Sequence, residues 1–119
     1  SALNPEFSHM MTKTLVVAGD ADLAEHLTIR GADWYRDPFR NGPGADSMLT
    51  LIGGIHGLGG VSGYDAKETS DEDPDRLAVV QRMTWAYLRS ALYEGDRAWS
   101  EAFSALERYA STHGRVDIK

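Results

Sequence analysis

The chain contains no cysteine, which excludes a disulfide, a thiolate metal site and a thiol nucleophile. No apolar run approaches the ~20 residues that a membrane-spanning helix needs, so no membrane span is expected. Positive charge is sparse and scattered. Twelve Lys and Arg face 18 Asp and Glu, for a net charge of −6, and no Lys/Arg cluster occurs. A nucleic-acid surface and an anionic-membrane patch both need concentrated positive charge, so both are excluded as expectations. No signal peptide is visible, and a cytoplasmic location is the expectation.

Residues 1–10, SALNPEFSHM, have no periodicity, and His9-Met10 ahead of Met11 has the look of a cloning junction. They read as an expression-tag remnant. Residues 11–119 are then read as one segment of a single domain. Residues 14–18 (TLVVA) form a short β-branched run bounded by Gly19, the pattern of a buried strand. The charged stretch 20–25 opens a turn. From 23 to 41, ADLAEHL can make one helical turn, but Gly31, Pro38, Gly42, Pro43 and Gly44 interrupt any longer helix. That stretch is expected to be mostly loop, packed down by Trp34, Tyr35 and Phe39. Residues 47–52 (SMLTLI) make a second strand, which runs into the glycine-rich segment 53–63 (GGIHGLGGVSG).

Asp73-Pro74 has the form of an N-cap followed by proline at the first helical position. Leu77, Val80, Met83, Tyr87, Leu88 and Ala91 recur at helical spacing and predict a helix over 75–93, ended by Gly95. Asp96 is placed to cap a second helix, with Trp99, Phe103, Leu106 and Tyr109 or Ala110 on one face. Trp85, Tyr87 and Trp99 read as core. The fold class is therefore α/β, with two parallel strands and two C-terminal helices. Two short buried strands leave open edges and are marginal alone. The sheet is expected to be incomplete in this chain and completed by a missing N-terminal region of the same protein or by a second copy.

Chemistry-bearing residues follow both strands. Asp20 and Asp22 come after the first, and His56 comes after the second, among glycines. In open α/β sheets, sites form at the carboxyl ends of strands. A carboxylate bonded to one imidazole nitrogen fixes the tautomer and stabilises the imidazolium formed in proton transfer. Glycines let a segment turn sharply and approach other backbone closely.

These residues carry a resemblance. The run 53–92, GGIHGLGGVSGYDAKETSDEDPDRLAVVQRMTWAYLRSAL, resembles the C-terminal region of α/β-hydrolases of the chlorophyllase, dienelactone hydrolase and platelet-activating-factor acetylhydrolase type. The stretch 15–22, LVVAGDAD, is similar to the strand and Gly-x-x-Asp turn that precede the family's catalytic acid. The likeness spans about residues 14–110. It implies that Asp22 is the acid and His56 the base of a Ser-Asp-His triad, with Asp20 the substitute for Asp22. The chain order of acid before histidine agrees with the family.

One departure is large. No Gly-x-Ser-x-Gly nucleophile motif occurs; the nearest string, Gly60-Val61-Ser62-Gly63-Tyr64, lacks the final glycine and does not follow a strand. The family's oxyanion-hole segment is also absent. The resemblance thus implies the C-terminal portion of an α/β-hydrolase fold: a fragment of a serine ester hydrolase that supplies acid and histidine, needs no cofactor, acts on a small ester in the complete protein and is inactive alone. The alternative is a non-catalytic, hydrolase-like interaction module that completes its sheet by homodimerisation or with a partner.

Blander and competing readings stand beside these. His56 could be a loop histidine bonded to backbone, and Asp22 could be a helix N-cap ahead of LAEH. His26 and His113 read as surface residues. Asp20-Ala21-Asp22 matches the Asp-x-Asp of haloacid-dehalogenase phosphotransferases, but the Lys and second acidic pair are not suitably placed. Residues 57–63 fit a Gly-x-Gly-x-x-x-Gly dinucleotide pattern, but no helix opens after them. Asp20, Asp22, Glu25 and His26 have ligand-like spacing, yet such a cluster reads as a solvated turn, and no metal is expected. Tyr64, Asp65 and Glu68 read as stabilising their own loop.

Overall fold

The structure is a computed structural model, and it describes residues 6–21, 34–54 and 73–119. These form a small mixed α/β domain with a three-stranded sheet and three helices. In chain order the elements are β1 (Thr14–Gly19), a single 3-10 turn (Trp34–Arg36), α1 (Asp37–Asn41), β2 (Ala45–Leu51), α2 (Pro74–Leu92), α3 (Ala98–Tyr109) and β3 (Gly114–Ile118). The sheet order is β1-β2-β3, with β1 parallel and β3 antiparallel to β2.

β2 is the organising element. Met48, Leu49, Thr50 and Leu51 are fully buried, because the strand has neighbours on both edges and cover on both faces. That is why its sequence is a continuous apolar run rather than an alternation. Leu49 and Leu51 face α2 and α3, where they meet Met83, Ala86, Ala102 and Leu106. On the other face Met48 packs with Val16, Phe39 and Ala45. Each such large side chain contributes roughly 1.5–3 kcal/mol by leaving water.

α2 begins where the sequence predicts. The Asp73 carboxylate accepts from the amides of Asp75 (3.0 Å) and Arg76 (3.2 Å), and Pro74 occupies the first turn. Those two amides hold the Asp73 carboxyl below the usual range, against the opposing effect of desolvation. The chain leaves α2 through Gly95, at φ +76°. Asp96 lies one residue before the N-cap of α3, Arg97; one of its oxygens accepts the Ala98 amide at 2.7 Å, and the other pairs with Arg89. The helices lock together through an edge-on contact of Tyr87 with Trp99, whose ring centroids are 5.2 Å apart. A bond from the Trp99 amide to Ser90 Oγ joins them as well.

Several details differ from the sequence reading or decide between its alternatives. Pro38 does not interrupt a helix but lies in the first turn of α1, where its missing N–H costs nothing. Residues 34–41, the described part of that stretch, form the 3-10 turn and α1, with Phe39 buried. Trp85 and Leu88 are not core: they are 58% and 54% exposed. The buried stripe of α2 runs instead through Met83, Ala86 and Tyr87. On α3, Tyr109 is 79% exposed and Ala110 is the residue that packs. The two-strand sheet gains a third member, β3, which pairs with β2 from Gly114↔Leu51 to Ile118↔Ser47. Met10, assigned above to the tag remnant, accepts the Gly44 amide at 2.7 Å and packs beside the Phe39 cluster. Among the described residues, no helix is long and apolar enough to cross a membrane.

Candidate active site

Parallel pairing places Gly19 opposite Leu51, so β1 and β2 end at the same level. The main chains then stay together for three more residues. The Asp20 amide donates to the Leu51 carbonyl (3.2 Å), and the Ala21 amide donates to the Gly54 carbonyl (2.9 Å). Gly19 has to be glycine here, since a Cβ would lie 2.2 Å from the Gly54 oxygen. Gly53 adopts φ +73° to turn the chain, a conformation that favours glycine.

Side chains fasten this turn from two directions. The Asp20 carboxylate accepts the Gly53 amide at 2.7 Å. From α2, the Arg76 Nε–H donates to the Ile52 carbonyl at 3.1 Å. The Arg76 guanidinium also lies 3.4 Å from the Asp73 carboxylate. A third fastening comes from just before β3, where the His113 carbonyl accepts the Ile52 amide at 3.0 Å. The His113 ring is partly exposed, 3.6 Å from Asp75.

Asp22 and His56 themselves lie outside the described residues, as do Glu25, His26, Ser62, Tyr64, Asp65 and Glu68. The structure does bring together the two strand ends from which Asp22 and His56 follow. Ala21, which precedes Asp22, is bonded to Gly54, which lies two residues before His56. Of the two candidate acids, Asp20 is described, and its carboxylate is already engaged by a backbone amide.

Arg76 is the residue that sequence reading missed. A clue was available. It stands in the first turn of α2, where the positive end of the helix dipole disfavours a cation. A cation placed there implies partners, and these include the Ile52 carbonyl and Asp73.

A second polar cluster lies at the opposite, amino end of β2. The Tyr87 hydroxyl donates to Asp46 at 2.8 Å, and Lys13 forms an ion pair with the same carboxylate. Desolvation opposes ionisation of Asp46, but the bonds from Lys13 and Tyr87 outweigh it and lower its pKa. Burial, followed by the bond to Asp46 and its charge, raises the pKa of the Tyr87 phenol far above the usual value. Both groups are satisfied by each other, which marks the cluster as structural. Between α2 and α3 an apolar cleft of about 220 Å³ is floored by Val79, Met83 and Leu106. Its lining includes no carboxylate, histidine or serine. Among the described residues, no group of three or more His, Asp or Glu could hold a metal ion.

The fold and the strand-end geometry define a mixed α/β domain with a parallel strand pair whose carboxyl ends are tied backbone to backbone. No protein-family model, curated protein or solved structure matches this chain.

Proposed function

We propose that this chain supplies the acid and the histidine of a serine ester hydrolase, Asp22 and His56, from the carboxyl ends of β1 and β2. The observation that carries the reading is the parallel pairing of those strands in the order acid strand, then histidine strand, with Ala21 and Gly54 hydrogen-bonded just beyond them. Asp22 is the first candidate for the acid, and Asp20, whose Oδ1 accepts the Gly53 amide, is its substitute.

The nucleophile comes from outside this sequence, which has no Gly-x-Ser-x-Gly. In the complete enzyme a serine Oγ attacks the ester carbonyl. His56 takes the hydroxyl proton and returns it to the leaving alcohol oxygen as the carbonyl–oxygen bond breaks. A water, activated by the same imidazole, then hydrolyses the acyl-serine. Asp22 bonds the other ring nitrogen and stabilises the imidazolium.

The chain alone should turn over p-nitrophenyl acetate no faster than its His56→Ala variant. Co-expression with an upstream segment bearing a Gly-x-Ser-x-Gly should produce His56-dependent hydrolysis. His56-dependent turnover by the chain alone would contradict the missing nucleophile, and no activity in the joined protein would contradict the hydrolase reading.

A second reading, a non-catalytic module that completes its sheet with another chain, is favoured by β1. Its sequence TLVVAG is uncharged and β-branched, and it has a strand partner on one edge only among the described residues. Such an edge is a template for pairing. Light scattering after size exclusion separates the outcomes: a defined dimer supports self-pairing, and a stable monomer at high concentration contradicts it.

A further inference from the structure

We propose that the outer face of α2 is a self-association surface, through which two copies of this chain pair antiparallel about Leu88. The inference stands apart from the acid–histidine reading and uses a surface other than the β1 edge. α2 is apolar on two opposite faces. Met83, Ala86 and Tyr87 form its buried stripe. On the far side Trp85, Leu88 and Leu92 follow at three- and four-residue spacing, and all three are exposed, Leu92 to 76%. Tyr93, just past the last turn, is 60% exposed and extends the patch. A surface helix carries one apolar stripe, turned to its own core, whereas a helix apolar all round has cover on every side.

The outer face is held in shape. The Arg89 guanidinium lies over both the Trp85 ring (5.6 Å to its centroid) and the Tyr93 ring (5.5 Å), and Arg89 Nε donates to Asp96 at 2.7 Å. Side chains already fixed lose less freedom when a partner arrives.

Spacing, charge and area all fit a second copy. The stripe is nearly symmetrical about Leu88, with Trp85 three residues before it and Leu92 four after. Laid antiparallel, Leu88 meets its own counterpart and Trp85 meets Leu92 of the partner subunit, at the three-four spacing by which paired helices interlock. Arg82 and Glu94 stand six residues to either side of Leu88. Both are exposed, and neither has an ion-pair partner among the described residues. Six residues of helix span about 9 Å, so the antiparallel pair brings each Arg82 to the level of Glu94 of the partner subunit, twice over. Arg89, nearer the axis, is neutralised by Asp96 within its own chain. The four large side chains expose roughly 500 Å² per copy, at the upper end of what a monomer leaves bare. A stable dimer buries about 800 Å² per partner, and the rim of Arg82, Arg89 and Glu94 supplies the remainder.

The test is light scattering after size exclusion, over a concentration series, on the chain as it stands. The variants are Leu88→Glu, Arg82→Glu, Glu94→Arg and the double reversal Arg82→Glu/Glu94→Arg. The wild type should be a dimer. Leu88→Glu should be a monomer that keeps its helical circular dichroism, because Leu88 faces solvent in the single chain. Each single reversal should weaken the dimer several-fold, and the double reversal should restore it. The chain has no cysteine, so Leu88→Cys gives a second readout. At the two-fold axis it should oxidise to a disulfide-linked dimer, and Ser104→Cys, exposed on α3, should not.

A wild-type chain that stays monomeric to about 0.5 mM overturns the proposal. So does a dimer that survives Leu88→Glu, which would point to the β1 edge instead. Loss of the dimer in Leu88→Glu without recovery in the double reversal overturns the antiparallel pairing about Leu88. Should Leu88→Glu fail to fold, Leu92→Gln in the last turn carries the same expectation, and an undiminished dimer there is equally fatal.

Discussion

The two ends of β2 are built on different principles. At the amino end, Lys13, Asp46 and Tyr87 bond side chain to side chain, and every polar group there finds its partner locally. At the carboxyl end, Gly19, Gly53 and Gly54 bring backbone against backbone, and the charged side chains Asp20 and Arg76 bond to peptide groups. The first arrangement fastens a helix to a sheet. The second fastens the turn that follows β2 to β1 and α2.

The largest break in the comparison comes from Gly19→Val. Its Cβ would overlap the Gly54 carbonyl, and the strand ends must separate. A loss of roughly 3 kcal/mol or more is expected from overpacking against backbone, seen as a lowered urea midpoint. Gly53→Ala is next. Left-handed backbone costs an alanine about 1–2 kcal/mol, and the Arg76 side chain must also shift. Its signature is a urea midpoint lowered less than in Gly19→Val. At the other end, Tyr87→Phe should cost about 1 kcal/mol, because Asp46 keeps Lys13 as a partner. It should leave the His56 titration untouched, and a shifted His56 curve in this variant would erase the distinction between the two ends.

The amino-end cluster also sets a pH dependence with a definite sign. The Tyr87 phenol has a raised pKa in the folded state. Its contribution is fully present below the ordinary phenol pKa of ~10 and is lost as pH rises from there toward the folded value. Asp46 is shifted downward. Its contribution is present above the ordinary carboxylate pKa of ~3.9 and is lost as pH falls through the lower folded value. Melting temperatures of wild type and Tyr87→Phe should therefore converge above about pH 10. A gap that stays constant to pH 11 would contradict the assignment.

The sequence made some of this visible and hid the rest for physical reasons. β1, β2, the Asp73 cap and the Gly95 exit were legible because each depends on local chemistry: β-branched runs, a cap followed by proline, and a glycine where φ is positive. β3 was missed although Val116 and Ile118 alternate with Arg115 and Asp117. Five residues carry too little pattern to reveal a strand that exists through its pairing with β2. The exposure of Trp85 was hidden because helical spacing gives a stripe but not its centre. A rotation that buries Met83, Ala86 and Tyr87 turns Trp85 and Leu88 outward. At the site, spacing identified Asp20, Asp22 and His56 as candidates. It could not show that Asp20 bonds the Gly53 amide, since that contact spans the crossover between two strands. Arg76 left only the clue of a cation in a first helical turn, and its bond to the Ile52 carbonyl likewise joins segments distant in sequence.

The central claim is that Asp22 and His56 form an acid–histidine pair at the joined ends of β1 and β2. The most direct measurement is the His56 imidazole titration in the intact chain and in its Asp22→Asn variant. The account predicts a pKa above the ordinary ~6.5 in the wild type and a clear fall in the variant. Identical titration curves for the two proteins would contradict it.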